Sequence, residues 1–230
     1  MFCAACGAHL ERLRVQADHR RSSSEARRAT AASSLVVVGV FVLLLADLGV
    51  QDADLAQLLV QVGFLLLALL AARVLGPEGP RDSLGAAPTP SGLGIGALAG
   101  GLSMGLTLLW WELFEQLPGL DFSEEPVEEV APFLLLPAFL TVVMAPLSEE
   151  WLCRGALWSA LSKLLDRRAV WVVSAAVFAL LHGLGGGYIL ELPHRFLGGL
   201  VFGWLRLRGH GLGPCIAAHL VHNALAVAME

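Results

Sequence analysis

The sequence predicts an all-α fold, a polytopic membrane helix bundle of about seven transmembrane helices with a cytoplasmic N-terminus. Three observations carry this. Of the 230 residues 56% are hydrophobic and only 15% charged, against roughly 45–50% apolar and 25% charged in ordinary soluble domains. The apolar residues also lie in runs close to the roughly 20 residues that cross a bilayer core as a helix. Finally, the arginines fall at alternate ends of these runs, as expected when basic residues gather on the cytoplasmic side.

Residues 1–34 are polar and include Arg12, Arg14, Arg20, Arg21, Arg27 and Arg28, and they read as a mobile cytoplasmic tail. No signal-peptide pattern precedes the first apolar run at Leu35, so that run is expected to be retained as a span. Cys3 and Cys6, in a C-x-x-C-G run, resemble half of a zinc ribbon. His9 or His19 could complete the site, and an incomplete knuckle is the competing reading. Cys153 and Cys215 lie in apolar segments, where cysteine acts as a small hydrophobe.

Residues 35–75 form a predicted hairpin turning at Gln51 to Asp54, and the Gly- and Pro-rich stretch 76–91 marks a loop. Residues 92–229 are expected to form the core unit. Its first span carries Gly92, Gly96 and Gly100, and also Gly101 and Gly105, and small residues at four-residue spacing let helices approach closely in lipid. Gly101-x-Ser103-x-Gly105 looks like a nucleophile elbow but lacks the strand-turn-helix context such an elbow needs. After an acidic loop that includes Asp121, Glu124 and Glu125, residues 130–163 read as one kinked or broken crossing punctuated by Pro132, Pro137 and Pro146. Three further spans are expected at 169–185, 190–207 and 212–228. In this arrangement Arg73, Arg81, Lys163, Arg167, Arg168, Arg206 and Arg208 share the side of the N-terminal arginines.

Charged side chains in a span cost at least roughly 2.5–3.5 kcal/mol each, so those that persist face a cavity, a partner or a reaction. The candidates here are Glu149, Glu150, Arg154, His182, Arg195, His219, His222 and Asn223. Helical periodicity pairs Glu150 with Arg154 at i,i+4 and turns Glu149 about 100° away as the free carboxylate. His219 shares a face with Asn223, and Phe178 with His182. Counting residues from a turn centred on Asp166 brings Glu149 and His182 to similar depth, while His219 is expected some 10 Å shallower. Arg195, with Glu191 and His194, reads as a vestibule or a local pair.

The run Glu149-Glu150-Trp151-Leu152-Cys153-Arg154 resembles the EExxxR motif of the CPBP intramembrane proteases, which include type II CAAX prenyl proteases and bacteriocin-processing, Abi-like members. Phe178 to His182 and His219 to Asn223 resemble that family's FxxxH and HxxxN motifs, in the family's order. The resemblance implies an intramembrane endopeptidase with Glu149, His182, His219 and Asn223 catalytic and Glu150, Arg154 and Phe178 supporting. In the metal-free form, Glu149 and His182 activate water while His219 and Asn223 donate to the oxyanion. In the metal form, Glu149, His182 and His219 hold zinc with one open position. The residues leave both forms open, although the His-Glu-x-x-His signature of ordinary zinc proteases is absent. A noncatalytic immunity or scaffold protein of the same fold and a proton-coupled transporter are the alternatives.

The expected partners are membrane lipid and a membrane-associated peptide or protein; no basic patch points to nucleic acid. A lone Lys163 beside fourteen arginines points to a GC-rich bacterial genome and so to the cytoplasmic (inner) membrane. In that setting a prenylated substrate is not expected.

Overall fold

The computed structural model describes residues 4–47, 49–115, 135–184 and 189–229, and among these every regular element is a helix. The first helix, α1 (Ala4–Asp47), runs unbroken across the boundary expected near residue 34. Its membrane-competent part is Ser22–Ala46. Ala29, Ala32, Val36, Val40 and Leu44 are buried at three- and four-residue spacing, the stripe by which a helix packs on a neighbour. Packing therefore begins six residues before Leu35, which the apolar run alone did not reveal because alanine packs as a spacer.

Helix α2 (Ala53–Val74) opens on Asp52, whose side chain accepts from the Leu55 N–H, an N-cap that satisfies one otherwise orphaned donor. It returns along α1 as the predicted hairpin. The Gly- and Pro-rich stretch contains a short helix, α3 (Gly79–Leu84), before α4 (Pro90–Glu115).

Pro132 and the acidic loop with Asp121, Glu124 and Glu125 lie outside the described residues. From Leu135 the chain forms one continuous helix, α5 (Leu135–Leu161), interrupted by two π-helical segments, Leu140–Met144 and Trp151–Leu157. The punctuated stretch is thus a single helix within the described residues, and the bulges of this helix bracket Glu149 and Glu150. Asp166 caps α6 (Arg167–Leu184), accepting from the Arg168 and Ala169 N–H groups. Then follow α7 (Leu192–Leu207) and α8 (Leu212–Val227).

Among the described residues, four helices are long and apolar enough to cross a membrane: Ser22–Ala46, Ala53–Val74, Pro90–Phe114 and Leu135–Leu161. Helix α8 is apolar but shorter, and α6 and α7, with 18 and 16 residues, do not meet that measure. These three helices carry the polar groups His182, His194, His219 and His222.

The glycine spacing on α4 sets its contact with α8. A Cβ on Gly96 would collide with the Pro214 carbonyl, and one on Gly100 with the Ala218 carbonyl, whereas Gly94, Gly101 and Gly105 face open space. Overpacking a tight contact costs about 1–3 kcal/mol. Gly100→Leu is therefore expected to lower the thermal midpoint of the detergent-solubilised protein, and Gly94→Leu to leave it unchanged. Ser103 sits inside this continuous helix, buried, so no elbow forms there.

Residues around α3 roof the α7–α8 turn. Arg206 donates to the carbonyls of Asp82, Ser83 and Leu84, and a Cβ on Gly211 would collide with the Ala86 carbonyl. The 10 Å offset expected for His219 does not keep it from Glu149, whose Oε2 lies 4.0 Å from His219 Nε2. Cys153 and Cys215 are free and fully buried.

Candidate active site

Three helices bring their polar side chains to one point. Glu149 on α5 places Oε2 3.7 Å from His182 Nε2 on α6 and 4.0 Å from His219 Nε2 on α8. Glu149 is 6% exposed and its Oε2 has no hydrogen-bond partner. A buried oxygen of this kind is costly unless something polar fills the space before it.

Both imidazoles carry a proton on Nδ1 and turn Nε2 toward Glu149. His182 Nδ1 lies 2.9 Å from the Phe178 carbonyl. That carbonyl can only accept, so Nδ1 carries the proton. His219 Nδ1 lies 3.1 Å from Glu150 Oε1, again an acceptor. Glu150 therefore does more than pair with Arg154. Its Oε1 also accepts from Arg154 Nη1 at 3.0 Å, while Arg154 Nη2 donates to the Gly199 carbonyl at 2.8 Å. The result is a fully buried chain of Arg154, Glu150 and His219.

Aromatic rings pack this chain. The Arg154 guanidinium lies 4.4 Å over the Phe178 ring, which also meets His182 at 4.9 Å and His219 at 5.4 Å between centroids. Phe202 stacks on the other face of the site, 5.1 Å from His219. Ring contacts of this kind restrict imidazole rotation, so the hydrogen-bonded orientations are reinforced by packing.

Asn223, one turn from His219 on α8, has a backbone partner. Its Nδ2 donates to the Thr141 carbonyl at 2.8 Å. The local backbone explains this partner: in the π segment the Ala145 N–H bonds to the Leu140 carbonyl, five residues back. The next donor in that register would be Pro146, which has no N–H. The Thr141 carbonyl is left open and Asn223 fills it.

Two residues of α2 join the site without having been marked in the sequence. Gln61 Nε2 donates to Glu149 Oε1 at 3.3 Å, and Gln61 Oε1 accepts from the Ser148 hydroxyl. One turn earlier, Gln57 Nε2 donates to Thr141 Oγ1 at 3.2 Å. Two glutamines at i,i+4 in an otherwise apolar span were the available signal. An open cavity of about 490 Å³ runs from the α1–α2 turn at Val50 and Gln51, past Gln57 and Gln61, to Glu149 and His182. Glu191 lines its mouth and pairs locally with Arg195 at 3.2 Å. His194 is buried beside Trp111, and His222 is buried one turn from His219.

The spacing of the three central groups admits a water and is slightly wider than that of ligands on a bound zinc. Tetrahedral zinc at about 2.0–2.1 Å from its ligands draws neighbouring ligand atoms to about 3.4 Å of one another. Glu149 Oε2 stands at 3.7 and 4.0 Å from the two nitrogens, distances spanned by a water about 2.8 Å from each. Among the described residues, no group of three or more His, Cys, Asp or Glu side chains is placed to hold a metal ion. Cys3 and the side chain of Cys6 lie outside the described residues.

Comparison with known proteins gives one match. Residues 131–225, somewhat less than half of the chain, match the family model described as type II CAAX prenyl endopeptidase Rce1-like. No curated protein and no solved structure matches. This match, together with the long apolar helices, makes the chain an integral membrane protein.

Proposed function

We propose, from the match of residues 131–225 to the Rce1-like family model, that the chain is an intramembrane endopeptidase that hydrolyses a peptide bond of a membrane-associated substrate with water activated by Glu149 and His182. The single observation that carries this reading is the unpartnered, buried Glu149 Oε2 facing the Nε2 atoms of His182 and His219.

A water in that space donates one hydrogen to Glu149 Oε2 and the other to His182 Nε2, which leaves an oxygen lone pair for the scissile carbonyl. As the C–O bond forms, Glu149 takes the proton and later returns it to the leaving nitrogen as the C–N bond breaks. The developing oxyanion needs N–H donors. Asn223 has one amide hydrogen beyond that given to Thr141. His219 donates through Nε2 when doubly protonated, a cation whose charge Glu150 balances across the Nδ1 bond.

Basic residues of α3, of the turn after α5 and of the end of α7 come together. Arg81, Lys163 and Arg206 line one pocket, and the cavity that reaches Glu149 starts at the opposite end of α2. This supports seven crossings with the N-terminus in the cytoplasm and access to the site from the other face. Bacterial inner membrane is the setting proposed, with a peptide or protein lacking a prenyl group as substrate.

The test compares membrane-bound peptides from cells carrying the parent protein or Glu149→Ala, followed by cleavage of a differing peptide with purified protein. Cleavage lost with Glu149 supports the hydrolase. Transport without cleavage, or equal peptide profiles, turns the reading toward a relay or a scaffold. From the ligand spacing, prolonged dialysis against a chelator is expected to leave the cleavage rate unchanged. A loss restored by zinc would instead assign Glu149, His182 and His219 as its ligands.

A further inference from the structure

The matched segment begins at residue 131, yet most of the wall of the access cavity comes from the preceding hairpin. One side chain of that hairpin reaches the candidate base itself. We infer that Gln61 is a positioning residue for Glu149, so that the α1–α2 hairpin is a working part of the active site and not an appendage to it. The kinetic part of this inference rests on the hydrolase reading above; the contact itself does not.

Gln61 is 5% exposed in a span whose other lipid- and core-facing residues are nearly all apolar. A buried amide with unmade bonds would be costly, so its position is set by its partners. The amide can point only one way. The Ser148 hydroxyl, which also reaches the Ala145 carbonyl, faces Gln61 Oε1, and Nε2 then faces Glu149 Oε1. The reverse orientation would set the amide oxygen against a carboxylate oxygen, two acceptors without a hydrogen between them.

The consequence is a division of labour within one carboxylate. Gln61 occupies Oε1, which leaves Oε2 as the oxygen turned toward His182 and His219. Without Gln61 the carboxylate can rotate, and either oxygen can face the imidazoles. Ser148, next to Glu149 in sequence, fixes Gln61 from the same helix, so α5 holds both ends of the device. Gln57 with Thr141 sits one turn along and aligns α2 against the first π segment. Orientation losses of this kind cost up to about 10²-fold in rate.

The test uses the full chain in nanodiscs with Gln61→Met, which keeps length and burial, and Gln61→Leu, which keeps burial with a different shape; each removes the donor to Glu149. The first readout needs no substrate. The infrared band that disappears in Glu149→Gln is expected to shift in both Gln61 variants, because a hydrogen bond to that carboxyl group has been lost. The second readout is cleavage of a peptide found by the comparison above: kcat is expected to fall about 10- to 100-fold with KM little changed. Folded variants with an unmoved band overturn the inference, as does an unchanged kcat. A parent protein that cleaves nothing sinks the hydrolase reading instead, and the infrared comparison then decides the Gln61 contact alone.

Discussion

Glu149→Gln is expected to lower peptide cleavage by about 10²–10⁴-fold, the usual contribution of a positioned general base, while leaving the fold intact. The substitution keeps size and shape, and the amide oxygen still accepts from Gln61 Nε2. What disappears is the proton acceptor at Oε2, the atom left without a protein partner. Adding His182→Gln to Glu149→Gln is expected to cost little more, because groups that act on one water fail together and their effects do not add. The measurement is steady-state cleavage by the purified variants, with thermal midpoints recorded beside it. A Glu149→Gln protein that cleaves as fast as the parent removes Glu149 from the chemistry. Strictly additive losses in the double variant would mean that Glu149 and His182 act on different steps.

The parts of this site that could be read from sequence are those governed by helical periodicity. Glu150 and Arg154 were expected to pair at i,i+4 and do so, although Arg154 lies in a π segment. Phe178 and His182 share a face, as their spacing requires. Hairpin, turns and glycine face follow from local signals of the same sort: Asp52 and Asp166 cap helices, and Gly96 and Gly100 meet α8. Residues that depend on contacts between distant segments were not legible. Gln61 is 88 residues from Glu149 in the chain, and His219 is 69 from Glu150. No local pattern couples such pairs. The Thr141 carbonyl as a partner of Asn223 was not legible for a related reason. One Asn223 donor is engaged by a carbonyl that is open only because a π turn and Pro146 coincide, a conjunction that spacing does not display. Helix α1 likewise passes through the arginine-rich stretch expected to be a mobile tail, since arginine and alanine are good helix formers once a span continues from them.

Arg154→Ala is expected to be the most damaging single change to stability. Arg154 is fully buried, and it holds a fully buried Glu150 through Nη1 and the α7 backbone at Gly199 through Nη2. Truncating it leaves a carboxylate in the bundle with only His219 Nδ1 as donor, and removes the cation from the Phe178 face. Breaking a buried ion pair on one side costs about 3–5 kcal/mol, more than the pair contributes when intact, because the remaining charge stays desolvated. Glu150→Gln with Arg154→Met should therefore be more stable than Arg154→Ala alone, since it removes both charges and fills the space. The double variant should still cleave poorly. Without an anionic Glu150, nothing balances a doubly protonated His219, and the second N–H to the oxyanion is lost. Urea or thermal unfolding in detergent, read beside the cleavage rate, separates these two effects. Equal stability of Arg154→Ala and the double variant would mean that the chain of Arg154, Glu150 and His219 is not electrostatically coupled. Full activity in the double variant would remove His219 from the oxyanion site.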